Sequence, residues 1–213
     1  NELVQALTDK FYQSNYDIKS LMKEIFAADW FYNEKNIGVK IKSPIELMVG
    51  MFRTINTTFN NTESNLFIQR TLGQILLNPP NVAGWNGNRS WIDSSSLLFR
   101  MRLPQVIYYD KDIDISPKEI TPEMGNQQMK MANEFVKNLA SKKLSATVNW
   151  TNAIAYFSSS KNILVDVANI MLAKKADAVA MKCIQINADN STKENQIKSM
   201  MIETMSLPDY QLC

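Results

Sequence analysis

Residues 73–92 read GQILLNPPNVAGWNGNRSWI, and no regular helix or strand can run through them. Pro79 and Pro80 lack amide hydrogens and fix φ, and a proline also pushes the residue before it out of helical geometry. Gly84, Trp85, Gly87 and Trp91 follow closely. Glycine and asparagine favour turns and large rings need packing, so the segment predicts a loop of set shape that holds two indoles in place. Both flanks are helical in pattern: SNLFIQRTLGQILL precedes the loop, and a helix carrying Leu97, Leu98, Arg100 and Met101 follows it, capped by Asp93 or Ser94.

The rest of the chain reads as all-α, a multi-helix array. Leu3, Ala6, Leu7 and Phe11 mark a first helix over residues 2–13, and Asp17 caps a second with Ile18, Leu21, Met22, Ile25 and Phe26 as its stripe. Trp30, Phe31 and Tyr32 are expected to pack back on the core. Ser43-Pro44-Ile45-Glu46 combines an N-cap, a proline at the first helical position and a capping-box glutamate. The helix it starts, to about Thr57, is apolar on more than one side and is expected to be a central buried element, with Gly50 at a close helix contact. An Asn/Thr-rich turn over residues 56–63 follows, and Ser64 or Asn65 begins the next helix. Residues 104–121 read as an extended connector, with a short extended segment near 105–115. Helices are then expected from Thr121 to about Leu139 and over residues 150–157, 163–173, 177–187 and 192–206. The whole is taken as one helical region over residues 1–213, with a possible subdivision into 1–103 and 121–213 about the connector 104–120. Residues 18–31 and 197–210 echo one another without gaps, sharing Ile, Lys, Ser, Met and Glu.

Composition narrows the chemistry. The chain has no histidine, which removes imidazole bases, Ser-His and Cys-His pairs and histidine metal sites. Its 23 basic and 21 acidic residues are interspersed, so nothing favours nucleic acid or an anionic membrane. The most apolar run, residues 163–173, is broken by Asp166 and Asn169 and falls short of the ~20 residues a membrane span requires. The chain opens inside a helix and is expected to be a piece of a longer protein. Cys183 reads as a buried thiol and Cys213 as a tail thiol, in preference to a disulfide.

Few motifs carry chemistry. Asp110, Asp112 and Asp114 begin like a calcium loop, but Ile115 and Thr121 stand where its turn residue and its bidentate glutamate belong. The five Asn-x-Ser/Thr sequons, at Asn56, Asn60, Asn88, Asn149 and Asn190, do not establish glycosylation in so asparagine-rich a chain. No metal site or cofactor is called for, and the catalytic residues are unknown. Trp85 and Trp91, rimmed by Asn81, Asn86, Asn88 and Arg89, form the candidate ligand platform, of the kind that stacks and hydrogen-bonds a sugar ring. The competing reading pins both rings to the helices beneath, with Arg100 anchoring the loop from below through carbonyls or a carboxylate.

These residues carry a resemblance. Gly73, Gln74, Leu76, Pro79, Pro80, Asn81, Val82, Gly84, Trp85, Trp91, Ser94 and Arg100 are similar to the G-Q-x-L-F-x-P-P-N-V-x-G-W segment, second tryptophan and Ser/Arg helix of the bacterial family known as domain of unknown function 1800. Leu77 replaces the usual aromatic residue, and KSPIEL at 42–47, YDIKSLMKEIF at 16–26 and SLPDYQLC at 206–213 extend the likeness. The resemblance implies the C-terminal portion of an exported, mainly helical bacterial protein, periplasmic or on the cell surface. It further implies a protein often encoded beside a sulfatase-like partner, and it supplies no catalytic residues.

Overall fold

Side-chain caps set most of the helix boundaries in the computed structural model, which describes residues 2–112, 144 and 146–213. The chain forms two compact units, residues 1–39 and 40–213.

In the first unit α1 (Glu2–Gln13) packs on α2 (Ile18–Ala27), and Asp17 caps α2 by accepting from the amides of Lys19 and Ser20. Neither helix has a buried residue. The aromatic residues after α2 do not sink into a core, as their size had suggested. Phe31 meets Phe26, Trp30 and Tyr32 edge to face, and Phe31 and Tyr32 both remain exposed. A short helical turn over Asp29–Tyr32, closed by the Tyr32 hydroxyl on the Phe26 carbonyl at 2.8 Å, holds this aromatic set together.

The second unit begins at a bridge between Ile41 and Leu212, flanked by reciprocal hydrogen bonds between Lys40 and Cys213 at 2.8 and 3.2 Å. The expected capping box starts α3 (Pro44–Thr54): Ser43 accepts from the Glu46 amide and Glu46 accepts from the Ser43 amide. Only one face of α3 is buried, through Leu47, Met48 and Met51, while Val49 is exposed. A Cβ on Gly50 would meet the Tyr210 hydroxyl at 3.8 Å, an ordinary contact, so this glycine faces the closing turn and marks no tight helix crossing.

The Asn/Thr-rich segment holds a strand where only a turn was read. Strand β1 (Thr57–Phe59) pairs antiparallel with β2 (Ala146–Val148), Thr57 opposite Val148. Helix α4 (Thr62–Leu72) starts earlier than expected, because Asn61 accepts from the Ser64 amide, and it also ends earlier: Gly73 stops it in left-handed geometry, φ 85°, so the apolar run from Gln74 to Leu77 is not helical as its pattern suggests. Helix α5 (Ser94–Tyr108) runs straight through Pro104, so residues 104–108 are not extended. A proline inside a helix costs about 3 kcal/mol. Burial of Leu103, Val106 and Ile107 on the core offsets that cost, at about 1.5–3 kcal/mol for each large side chain. The rest of the expected connector from residue 113, Asp114 of the acidic triplet and the expected helix over 121–139 lie outside the described residues.

The later helices match their expected ranges: α6 (Thr151–Phe157), α7 (Ile163–Met171), α8 (Ala178–Asn187) and α9 (Lys193–Met205). Helix α9, and not α3, is the central element. Ile197, Met200, Met201, Ile202 and Met205 are buried on several of its sides, and it packs against α5, α6, α7 and α8. Its buried Ser199 and Thr204 hydroxyls donate to carbonyls of the same helix, so they add no unsatisfied groups to the core. Cys183 is exposed on α8 and not buried, because Ala180 and Ile184 supply that helix's inward face; Cys213 is also exposed, and both are free thiols. No helix among the described residues is long and apolar enough to cross a membrane.

The two echoing segments share a local build. Each is a helix followed by a short helical turn at the same offset, Asp29–Tyr32 in one and Pro208–Gln211 in the other. Their burial is opposite: Ile197, Met201 and Tyr210 are buried, while the corresponding Ile18, Met22 and Phe31 are exposed.

Candidate functional site at the tryptophan loop

The loop leaves α4 at Gly73 and is tied down at each step. Gln74 turns its side-chain oxygen to the Ile45 amide at 3.1 Å, satisfying one of the donors left open in the first turn of α3. The Gln69 side chain accepts from the Leu76 amide at 2.9 Å. Asn81 closes the next turn twice, its side chain accepting from the Ala83 amide at 2.8 Å and its carbonyl from the Gly84 amide at 3.0 Å. Gly84, at φ 83°, permits the reversal. A helical turn over Asn88–Trp91 then leads to Asp93, which caps α5 in a second capping box with Ser96, and the Ser96 hydroxyl also donates to the Trp91 carbonyl at 3.1 Å.

This scaffold spreads the candidate residues over three levels. Trp85 and Trp91 are half-buried, and neither is in ring-to-ring contact among the described residues. Asn86 and Arg89 are exposed, with no side-chain hydrogen bond among the described residues, whereas Asn81 is exposed but committed to its turn. Leu77 and Val82 stand wholly in solvent, 98% and 109% exposed. Leu77 is held at φ 63°, a conformation costly for a leucine, so its outward placement is built into the backbone.

Arg100 lies on none of these surfaces. It is 0% exposed, and its Nη1 donates to the carbonyl of Lys42 at 2.9 Å. The guanidinium therefore anchors the segment that leads into α3 and makes no hydrogen bond to the loop. Lys42 is the hub of this knot: its amide donates to the Gln211 carbonyl at 2.8 Å, and its Nζ donates to the Tyr210 carbonyl at 2.7 Å and sits 3.9 Å from the Tyr210 ring centre. Burial lowers the Lys42 ammonium from its usual range, pulls Arg100 down to about 10 and pushes the Tyr210 hydroxyl up to about 12. Lys42, Tyr210 and Gln211 are parts of the site that side-chain chemistry alone did not single out. The available signal was their place in KSPIEL and SLPDYQLC, two segments that carry the family likeness.

A separate polar cleft of about 840 Å³ opens where α7 and α9 begin, lined by Lys161, Asn162, Gln185, Thr192, Lys193 and Gln196 among others. None of the loop residues lines it. Among the described residues no group of three or more cysteine or acidic side chains is placed to hold a metal ion.

The family model described as protein of unknown function, DUF1800, matches residues 1–212. The chain belongs to the DUF1800 family. No curated protein and no solved structure matches it. In this DUF1800 chain, the likeness-bearing segments of residues 40–213 come together in space: Gln74 bonds to α3, Arg100 to Lys42, and Lys42 to Tyr210 and Gln211.

Proposed function

We propose that this DUF1800 chain is a protein-binding domain whose contact surface is the tryptophan loop. The observation that carries the reading is the full exposure of Leu77 and Val82 on a backbone fixed by hydrogen bonds. Such side chains contribute nothing to folding where they stand, whereas each would contribute about 1.5–3 kcal/mol when buried on a partner. A preformed loop also loses little entropy on docking. The sulfatase-like protein implied by the resemblance is the first partner to test, and the setting is an exported protein, which cell fractionation checks. Calorimetric titration of that partner with the chain, and with the Leu77→Asp/Val82→Asp variant, tests the surface. Binding that survives both substitutions removes the proposal.

A glycan-binding reading rests on Asn86 and Arg89, whose free polar groups follow closely on the half-exposed Trp85. It predicts a glycan-array signal that Trp85→Ala and Arg89→Ala abolish. An array blank for the wild-type chain would end it.

A further inference from the structure

Arg100 carries an unused recognition edge. Its Nη1 is fixed to the Lys42 carbonyl, but Nε and Nη2 are buried without a hydrogen-bond partner among the described residues. These two nitrogens lie on one side of the guanidinium plane and point their hydrogens in parallel, the fork that takes two oxygens of a carboxylate, sulfate or phosphate. The charge is equally unmatched. Burial moves its pKa, and among the described residues no acidic group acts on it: none of the ion pairs Lys10–Glu24, Lys40–Glu46 and Lys198–Glu194 involves it. Buried guanidinium groups are normally paired, so an edge left whole, on a side chain oriented by its third nitrogen, has the form of a built site.

We propose that the Nε–Nη2 edge of Arg100 is an oxyanion-binding site, taking two oxygens of one carboxylate, sulfate or phosphate group. The site is separate from the exposed loop surface and does not depend on the loop binding a protein. Arg70, on α4, is a natural control. Its buried Nε and Nη1 also lack partners, but these two nitrogens do not share an edge and cannot form the same fork. Because Arg100 is wholly covered, an anion enters only when the surrounding side chains part, and bound and free forms should exchange slowly.

The test is a titration of the full 213-residue chain, in chloride buffer at constant ionic strength, with sodium acetate, sulfate or phosphate. The arginine Nε–H signals are followed by proton–nitrogen correlation spectroscopy, and the Arg100 signal is assigned by its absence in Arg100→Lys. The expected result is a second Arg100 Nε–H peak, shifted downfield, that grows saturably with at least one oxyanion while the Arg70 signal stays in place. Growth with acetate alone identifies a carboxylate site, and growth with the tetrahedral anions identifies a general oxyanion site. The proposal is overturned if none of the three anions produces the second peak. It is equally overturned if the signal starts far downfield and ignores added anion, which would mean that the chain fills the site itself. Should Arg100→Lys fail to fold, the Arg100 signal is assigned instead by elimination, as the one that persists when Arg53, Arg70, Arg89 and Arg102 are each replaced by lysine in turn.

Discussion

A buried guanidinium with two unsatisfied donors destabilises the chain that carries it, since each orphaned donor costs about 1–3 kcal/mol. Arg100 is such a group, and its hydrogen bond to Lys42 offsets only part of the cost. Arg100→Met should therefore raise the stability of anion-free protein by about 1–2 kcal/mol in urea unfolding. A loss of stability instead would make Arg100 a structural strut. Trp85 behaves differently. Being half-buried, it should lose about 1–2 kcal/mol on substitution by alanine, below the 3–5 kcal/mol of a fully buried ring, and the domain should still fold. Glu203, on α9, has its pKa raised by burial, with Lys111 opposing the shift. Its folded form holds a proton more tightly than its unfolded form, so its contribution is full below about pH 4.5 and lost as pH rises through the raised value. Glu203→Gln should flatten that slope and add less than about 1 kcal/mol at pH 7, by denaturation at a series of pH values. The sequence showed which side chains were unusual, Arg100 among them. It did not show that Arg100 sinks to full burial while Asn86 and Arg89 stay in water, because that depends on how α5 turns against segments distant in sequence.

At the level of elements, capping chemistry made most boundaries readable in advance. Asp17, the Ser43/Glu46 box and Asp93 act as their residue types dictate. Glu46 also bonds to Lys40 at 2.6 Å, and that bond is the main cause of its lowered pKa. The stabilisation from Glu46 is therefore present above about pH 4.5 and lost as pH falls through the depressed value. Glu46→Ala should cost about 1 kcal/mol at pH 7 and weaken the acid limb of the stability profile, as thermal melts across pH 3–7 would show. Errors arose where tertiary packing overrode local preference. Pro104 should have ended a helix, but buried neighbours carried α5 through it. Strand β1 was read as a turn because its partner, β2, lies far along the chain and no local pattern announces that pairing. Gly84, at positive φ, is legible as a loop residue, whereas Gly73 sits inside an apolar periodic run and its helix-ending role is not; Gly84→Ala should cost about 1 kcal/mol through backbone strain alone.

Across the whole molecule, the two units differ in how their apolar residues are used. Residues 40–213 bury a continuous core around α9, whereas α1 and α2 in residues 1–39 bury nothing fully. Native-state hydrogen exchange should therefore find the slowest amides in α9 and much faster exchange throughout α1 and α2. The mainly helical class and the ordered tryptophan loop were evident from helical periodicity and from the Pro-Pro stop. The division after Val39 was not, because the stripes of α1 and α2 read like any other core-facing helix. The functional account rests on one separation: Arg100 belongs to the interior, while Leu77 and Val82 belong to the exposed surface proposed for partner contact. The Leu77→Asp/Val82→Asp variant tests it most directly, with thermal unfolding and partner titration measured on the same preparation. The account predicts a melting temperature within error of wild type and partner affinity reduced about 30-fold or more, the size of an interface hot spot. A melting temperature lowered by several degrees with binding intact would contradict it and make the loop a structural clasp.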